Sequence, residues 1–169
     1  LRKFVVLRQR QRAVDRELHD RDIGLRINVL EHGPAAVVQA PLQRVFRQRS
    51  TVLIFTQYAD TMDYLRKQLC EVYGSQVACY SGRGGEIWNG IAWAPATKEQ
   101  VKTDFRAGKI RILLGTESAS EGLNLQTCGV LINYDMPWNP MRVEQRIGRI
   151  DRIGQEFDWV WIYNYFYRD

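Results

Sequence analysis

Residues 51–82, TVLIFTQYADTMDYLRKQLCEVYGSQVACYSG, pass from a strand-like pattern to a helix-like pattern and back to a strand-like pattern. The opening TVLIFT is a short apolar run that suits a strand covered on both faces. Met62, Leu65 and Leu69 then recur at helical spacing, and residues 76–82 predict a second strand. A helix between two such strands favours a right-handed crossover within a parallel sheet.

The same alternation continues along the rest of the chain. Further apolar runs predict strands over residues 110–116, 130–136 and 159–166. Additional helices are predicted over residues 42–49, from a capping box at Thr97 and Gln100 to Gly108, and from Asn139-Pro140 to about residue 152. We therefore expect an α/β fold with a mostly parallel sheet and a ligand site beyond the carboxyl ends of its strands.

The first third of the chain is more basic than the rest. Residues 1–50 hold eleven Lys and Arg against five Asp and Glu, whereas the remaining residues hold thirteen against fourteen. A basic segment suits a phosphate-rich partner. A solvated helix face explains the same charges equally well.

Two regions lie outside the regular alternation. Leu7, Val14 and Leu18 lie at helical spacing, so we interpret residues 1–41 as a partly helical basic arm or linker and residues 42–169 as the globular domain. Residues 82–96, GRGGEIWNGIAWAPA, are rich in glycine and tryptophan and predict a mobile surface loop.

The cysteines and histidines do not predict a metal site. Cys70, Cys79 and Cys128 are scattered, without the C-x-x-C pairing of metal ligands, and His19 and His32 stand apart from other ligand types. We interpret the cysteines as reduced intracellular thiols and expect a cytoplasmic protein. No apolar stretch of the sequence approaches membrane-spanning length.

The predicted helix around residue 145 has two distinct faces. At roughly 100° per residue, one face is apolar: Val143, Ile147 and Ile150. The opposite face carries an amide and two guanidinium groups: Gln145, Arg149 and Arg152. Gly148 lies in the middle of the predicted helix, at a cost of about 1 kcal/mol relative to alanine, which suggests a close approach by another group.

Two interpretations of these arginines stay open on geometry alone. Two cations one helical turn apart suit a polyphosphate, because guanidinium groups match phosphate oxygens and stay charged. Alternatively, the arginines pair with Glu144 and Asp151 on a solvated surface.

The order of residues resembles a known family. QRIGRIDRIGQ (residues 145–155) is similar to motif VI of superfamily-two helicases of the Swi/Snf type, and GTESASEGLNLQ (residues 115–126) to their motif V. NYDMPWNP (residues 133–140) resembles the segment that links the two motifs, and VLIFTQY (residues 52–58) resembles motif IV. The resemblance covers about residues 42–169, favours the bacterial RapA-like branch, and implies a three-layer RecA-like domain that forms the second motor lobe.

This resemblance implies roles for individual residues. It makes Arg149 and Arg152 arginine fingers for the γ-phosphate of ATP, with Gln145 sensing that phosphate or placing the attacking water. It places a second group at the cleft near the nucleotide: Glu121, Gly122 and Asn124. It assigns a third group to the nucleic-acid backbone: Thr56, Gln57, Thr116 and Ser118.

Simpler explanations exist for several of these positions. Thr56 and Thr116 could do no more than end strands, and Gly122 could be an ordinary turn glycine. Trp138 could stack on a nucleotide or pack beside Pro137 and Pro140, and we favour packing because buried aromatic residues are the commoner use.

The sequence lacks the parts that hold ATP itself. It has no G-x-x-x-x-G-K-[ST] motif, since Gly108-Lys109 is followed by Ile110, and no DEAD-like carboxylate pair for Mg²⁺. The resemblance therefore implies that ATP and Mg²⁺ are bound mainly by a preceding lobe, and that this chain alone is inactive. The implied partners are that N-terminal RecA-like lobe, double-stranded DNA, and other proteins such as RNA polymerase. The resemblance does not imply binding to a membrane.

Three other functions remain open. One is the lobe of a strand-separating DNA or RNA helicase. Another is a non-catalytic nucleic-acid-binding or scaffold module. A nucleotide-sugar-binding domain is disfavoured because no strand is followed by G-x-G-x-x-G.

Overall fold

The computed structural model describes residues 2–10, 26–30, 36–117 and 122–167. Nine strands of one sheet lie in these ranges: β1 (Arg2–Arg10), β2 (Arg26–Leu30), β3 (Val52–Thr56), β4 (Val77–Ser81), β5 (Gly84–Trp88), β6 (Trp93–Ala96), β7 (Ile112–Thr116), β8 (Val130–Asn133) and β9 (Trp159–Tyr167). The helices in these ranges are α1 (Ala36–Val45), α2 (Ala59–Tyr73), α3 (Lys98–Arg106) and α4 (Pro140–Ile147), with a 3-10 turn at Gly74–Gln76.

The centre of the sheet is parallel and both of its borders are antiparallel. The strand order is β2-β1-β9-β8-β3-β7-β4-β5-β6. Strands β9, β8, β3, β7 and β4 are mutually parallel, and they are the five strands predicted from the sequence. The predicted α/β fold is confirmed, and the carboxyl ends of these five strands lie at one edge of the sheet.

Two apolar cores cover the two faces of the sheet. On one face, Val52 and Ile54 of β3 belong to the same buried cluster as residues of α1 and α2. On the other face, Leu53 and Phe55 belong to a cluster with residues of α3 and with Ile150. Because successive residues of a strand point to opposite faces, a continuous apolar run is required at the centre of a three-layer fold.

Residues predicted from the sequence as caps begin two of the helices. The Thr97 side chain accepts a hydrogen bond from Gln100 N at 3.2 Å, so α3 begins where predicted. The Gln100 side chain bonds Asp104 at 3.2 Å, in place of completing a reciprocal capping box. Asn139 Oδ1 accepts from Met141 N at 2.9 Å and begins α4 as predicted.

The helical spacing predicted for the start of the arm is wrong at Leu7, whereas the end of the arm, residues 36–41, is helical as part of α1. Residues 2–10, which carry Leu7, form strand β1 and not a helix, and β1 pairs with β9 along its whole length. Val14 and Leu18 lie outside the described residues. The boundary predicted between residues 41 and 42 falls inside α1. Residues 4–7, FVVL, are a continuous apolar run that also suits a strand, and β1 pairs with β9.

Residues 82–96, predicted as a mobile loop, instead contain the antiparallel hairpin of β5 and β6. Trp88 and Trp93 lie opposite each other, with ring centroids 5.6 Å apart. Gly85 is required because a Cβ there would lie 2.6 Å from the carbonyl oxygen of Ala96. The glycines that suggest a loop therefore permit close strand pairing.

The helix that carries the predicted phosphate-facing residues is shorter than expected. Helix α4 ends at Ile147, and residues 148–150 form a turn. Gly148 is the cap residue after the helix, and a Cβ there would meet only backbone oxygens of Glu144 and Gln145, at 3.3 and 3.6 Å. Within the described part of this chain no other segment lies close to Gly148, and approach by a separate group stays a prediction. Across the described residues, no helix combines the length and the hydropathy that crossing a membrane requires.

Candidate nucleotide and nucleic-acid interface

Thr56 and Thr116 are the last residues of the neighbouring strands β3 and β7, and they face each other in the parallel register. Both side chains are buried. The Thr56 hydroxyl donates to Asp135 Oδ2 at 2.5 Å, so this group is used within the domain. The structure therefore brings these two predicted residues together at the carboxyl edge, and shows that Thr56 also ends its strand.

Asp135 organises the start of the loop after β3. The backbone N–H of Gln57 donates to both carboxylate oxygens of Asp135, at 2.9 Å each. The Gln57 side chain itself is exposed. A carboxylate that accepts from both a hydroxyl and a backbone N–H fixes the direction in which the chain leaves β3.

Arg146 is the buried centre of this arrangement, with a side chain only 1% exposed. Its Nε and Nη2 donate to Glu117 Oε1 at 3.1 and 2.7 Å. Its Nη1 donates to Asn133 Oδ1 at 3.2 Å and to the Asp135 carbonyl at 2.7 Å, and its Nη2 lies 3.3 Å from Asp135 Oδ1. We call Arg146, Glu117 and Asp135 the buried ion cluster.

Sequence reasoning missed Arg146, although a signal was present. At helical spacing Arg146 falls on the apolar side of α4, beside Ile147 and Ile150. A cation on a buried face needs carboxylate or carbonyl partners. Its partners Glu117 and Asp135 follow strands β7 and β8, so only the folded sheet brings them together.

The segment after α4 contacts the loop of motif V. Arg152 is exposed, and its Nη1 donates to Asn124 Oδ1 at 2.6 Å while its Nε donates to the Gly148 carbonyl at 2.6 Å. The backbone N–H of Leu125 donates to the Arg149 carbonyl at 3.0 Å. Two residues predicted to face the nucleotide, Asn124 and Arg152, are therefore in direct contact.

The other predicted nucleotide-facing residues have different surroundings. Gln145 is exposed and Arg149 is half-buried. Gly122 is exposed and adopts φ +77°, so its backbone conformation favours glycine, whereas the Lys98 ammonium that a Cβ would meet could move aside. Glu121 and Ser118, also predicted as site residues, lie outside the described residues.

Gln155 holds the segment after α4 against the domain. This buried side chain donates from Nε2 to the carbonyls of Ile150 and Cys128, at 2.6 and 2.9 Å, and its Oε1 accepts from Phe157 N at 3.2 Å. The last residue of the motif VI stretch therefore fixes a turn, a role that its sequence pattern alone does not indicate.

Trp138 does not pack beside the neighbouring prolines as favoured from the sequence. Its side chain is fully exposed at the turn that precedes α4. Tyr58 and Met141, which follow β3 and Pro140, are also exposed. The packing prediction is therefore wrong within this chain, and large apolar side chains are exposed after β3 and around the start of α4.

A cleft of about 280 Å³ opens near the ends of β3, β4 and β7. Gln57 and Thr116 line it together with Ser81 and Arg83. Arg83 Nη2 lies 2.6 Å from Asp63 Oδ1, and this hydrogen bond raises the pKa of the arginine. Asp60 and Asp63 also line the cleft, so the groups in it that suit a phosphate backbone are the uncharged amide and hydroxyls of Gln57, Ser81 and Thr116.

The three cysteines are free thiols. Burial raises the pKa of Cys128 and that of Cys70 to about 11 each, and burial also raises the pKa of Cys79. Thiols with a raised pKa are poor nucleophiles and poor metal ligands at neutral pH. Among the described residues, no cluster of three or more His, Cys, Asp or Glu is placed to hold a metal ion.

Comparison with known proteins identifies the family. Residues 37–154 match the model of the helicase conserved C-terminal domain. The chain belongs to the helicase C-terminal domain family. The predicted resemblance to superfamily-two ATPases of the Swi/Snf type and to the RapA-like branch is confirmed.

This helicase C-terminal domain has curated relatives in bacteria. It is 48% identical over 113 residues to the ATP-dependent helicase YqhH of Bacillus subtilis, covering 67% of this chain and 18% of that protein. It is 33% identical over 118 residues to the RNA polymerase-associated protein RapA of Vibrio campbellii, covering 69% of this chain and 12% of that protein. The chain therefore spans less than a fifth of the length of either relative.

Solved structures support the fold assignment. The C-terminal part of the Fun30 ATPase domain matches with a TM-score of 0.60 and 19% identity, over 75% of this chain and 39% of that one. The DUF1998 helicase MrfA, in a structure bound to DNA and AMPPNP, matches with a TM-score of 0.53 and 13% identity, over 74% of this chain and 17% of that one. At such identities these matches support the RecA-like fold alone.

Proposed function

We propose that this domain is the second motor lobe of an ATP-dependent, Swi/Snf-type translocase that moves along double-stranded DNA. In this proposal Arg149 and Arg152 reach across a cleft to ATP and Mg²⁺ bound on a preceding lobe. There they stabilise the negative charge that develops on the γ-phosphate. Gln145, exposed on the last turn of α4, senses the same phosphate or places the attacking water.

The observation that carries the proposal is the 2.6 Å hydrogen bond between Arg152 and Asn124. It joins the two motif segments predicted to face the nucleotide, and it holds an exposed guanidinium at a defined position. A finger that is held before ATP arrives loses less conformational entropy when it engages the phosphate. Glu121 and Gly122 belong to the same motif V loop and complete the proposed nucleotide-facing edge.

The proposed DNA-facing residues are those at the carboxyl edge: Thr56, Gln57, Thr116 and Ser118. The exposed Gln57 side chain and the cleft that it shares with Thr116 support a contact with the phosphate backbone. Thr56 contributes through the direction it gives the loop, because its hydroxyl already bonds Asp135. The proposal places the protein in the cytoplasm, and RNA polymerase is a candidate partner because a relative is named for that association.

The test is ATP turnover by the full-length protein with Arg149→Ala or Arg152→Ala. Removing an arginine finger lowers kcat by about a thousandfold or more. Arg47→Ala is the matched control, since Arg47 is also an exposed arginine but lies outside the proposed interface. Retention of near-normal turnover in both finger variants would refute the proposed role.

The nucleic acid that stimulates turnover separates the alternative functions. Stimulation by double-stranded DNA supports a translocase, whereas stimulation by single strands alone supports a strand-separating helicase. A full-length protein without ATP turnover under either condition supports the non-catalytic module. The isolated chain is expected to hydrolyse no ATP, and turnover by it that Arg149→Ala abolishes would contradict the two-lobe arrangement.

A further inference from the structure

Arg146 lies in the same motif as the proposed fingers, but it is not available to a phosphate. A guanidinium has five N–H donors, and the five hydrogen bonds that Arg146 makes to Glu117, Asn133 and Asp135 account for all of them. These contacts point into the domain and connect α4 with the ends of strands.

The first connection runs through Asp135 to β3. Asp135 contacts Arg146 through Oδ1 at 3.3 Å, while its carboxylate also accepts from the Thr56 hydroxyl and the Gln57 N–H. The carboxylate therefore lies between the guanidinium and the loop that leaves β3. A shift of Arg146 changes the orientation of the group that fixes Gln57.

The second connection runs through Glu117 to β7. Glu117 directly follows Thr116, and its Oε1 accepts two hydrogen bonds from Arg146, the shorter at 2.7 Å. One side chain of α4 thus contacts residues that follow β7 and β8, the two strands on either side of β3, and through Asp135 it also reaches the end of β3.

Stability alone does not explain a cation at this position. Burying charges costs desolvation free energy, and replacement of a buried ion pair by well-packed apolar residues is often neutral or stabilising. An apolar residue at position 146 would continue the buried side of α4 beside Ile150. A buried charge that fixes relative position is one documented use of such clusters.

We propose that Arg146 is a positioning residue that holds the DNA-facing ends of β3 and β7 in register with motif VI, so that DNA binding raises ATP turnover. This inference rests on the proposed function, which supplies the DNA and ATP that it links. The proposed connection between DNA and ATP is structural. Helix α4 directly precedes the proposed fingers Arg149 and Arg152, and the buried ion cluster joins α4 to the ends of the strands.

The test uses the full-length protein, linear double-stranded DNA and ATP. Arg146→Lys keeps the charge but places its donors on one nitrogen, which cannot span both carboxylates and the Asn133 amide. The matched control is Arg142→Gln, because Arg142 bonds the same Glu117 at 2.8 Å but its side chain is 49% exposed. Turnover is measured with and without DNA, and thermal unfolding verifies that each variant is folded.

The expected result is a loss of stimulation in Arg146→Lys only. The ratio of DNA-stimulated to unstimulated turnover falls about tenfold, while the KM for ATP stays within about twofold. In Arg142→Gln the ratio is unchanged. A purely structural role would lower both rates by the same factor and leave the ratio unchanged, which would overturn the inference.

Glu117→Gln provides a second, milder variant if Arg146→Lys does not fold. It keeps the volume and one acceptor oxygen but removes the charge, so we expect the stimulation ratio to fall about threefold. If DNA stimulates the wild type and the stimulation ratio is unchanged in folded Glu117→Gln, the inference is overturned. A wild-type protein that no nucleic acid stimulates would instead refute the proposed function.

Discussion

The two arginines Arg146 and Arg152 belong to one motif but to two different environments. Arg146 lies beneath α4, surrounded by carboxylates and carbonyls. Arg152 lies after the end of the helix, exposed and held by an amide oxygen and a backbone carbonyl. The turn at residues 148–150 separates a buried position that fixes structure from an exposed one that can meet a ligand.

This comparison predicts its largest effect on stability at Arg146. Arg146→Met leaves two carboxylates without their central partner, so the free energy of unfolding falls by about 3–5 kcal/mol. Arg152→Met removes an exposed group, so the loss is about 1 kcal/mol or less. Chemical denaturation of the chain measures both, and equal losses would break the comparison.

The next largest effect is expected at Gln155, which holds the segment after α4 against the domain. Gln155→Ala removes three hydrogen bonds of a buried amide and leaves two carbonyls unsatisfied, at a cost of about 2–3 kcal/mol. Gln145→Ala, an exposed amide in the same motif, is the control and should leave stability within about 0.5 kcal/mol. An equally small loss of stability in both variants would show that the hydrogen bonds of Gln155 contribute little.

A smaller effect is expected on turnover when Arg152 loses its neighbour. Asn124→Ala removes the oxygen that holds the guanidinium, so kcat of the full-length protein falls about tenfold with little change in stability. Arg106→Ala is a useful control, because this exposed side chain contacts the Asn124 carbonyl at 3.4 Å and not its amide. Unchanged turnover in Asn124→Ala would contradict the idea that Asn124 holds Arg152, the proposed finger, in position before ATP binds.

The smallest expected effect is on the reactivity of Cys128. It tests whether the hydrogen bond from Gln155 to the Cys128 carbonyl helps to keep this thiol buried. Its pKa is raised to about 11 by burial, and thiolate is the reactive form, so alkylation of the folded chain near neutral pH is slow. As pH rises toward the raised pKa, thiolate forms and the rate increases. Gln155→Ala should raise the rate at neutral pH, as read by mass spectrometry. Equal rates in folded and urea-unfolded chain would contradict this.

The sequence predicted those parts of the molecule that depend on local pattern. The five parallel strands are uninterrupted apolar runs, and Thr97 and Asn139 are caps whose effect requires only the next three residues. The end of α4 was misjudged because Ile150 keeps the helical spacing although the chain has already turned. The hairpin of β5 and β6 was missed because its glycines suggest a loop.

The candidate site was predicted unevenly, for a related reason. The resemblance predicted that Asn124 and Arg152 both face the nucleotide, but the contact between them is seen only in the folded structure. The buried ion cluster does not follow from local pattern, since Glu117 lies 29 residues before Arg146 and only the sheet brings them together. The exposure of Trp138 was predicted wrongly because neighbouring prolines in sequence do not guarantee a packing surface.

The position of β1 has a practical consequence for expression of this domain. All nine of its residues pair with β9, which otherwise borders only β8. A recombinant fragment trimmed to residue 42 would cut α1 and strip β1 away. It would leave the backbone N–H and C=O groups along one side of the long strand β9 unpaired. A strand from another copy of the chain could then pair with this exposed edge. Fragments of this domain should therefore retain residues 2–41, so that the shorter strand β2 and not β9 borders the sheet.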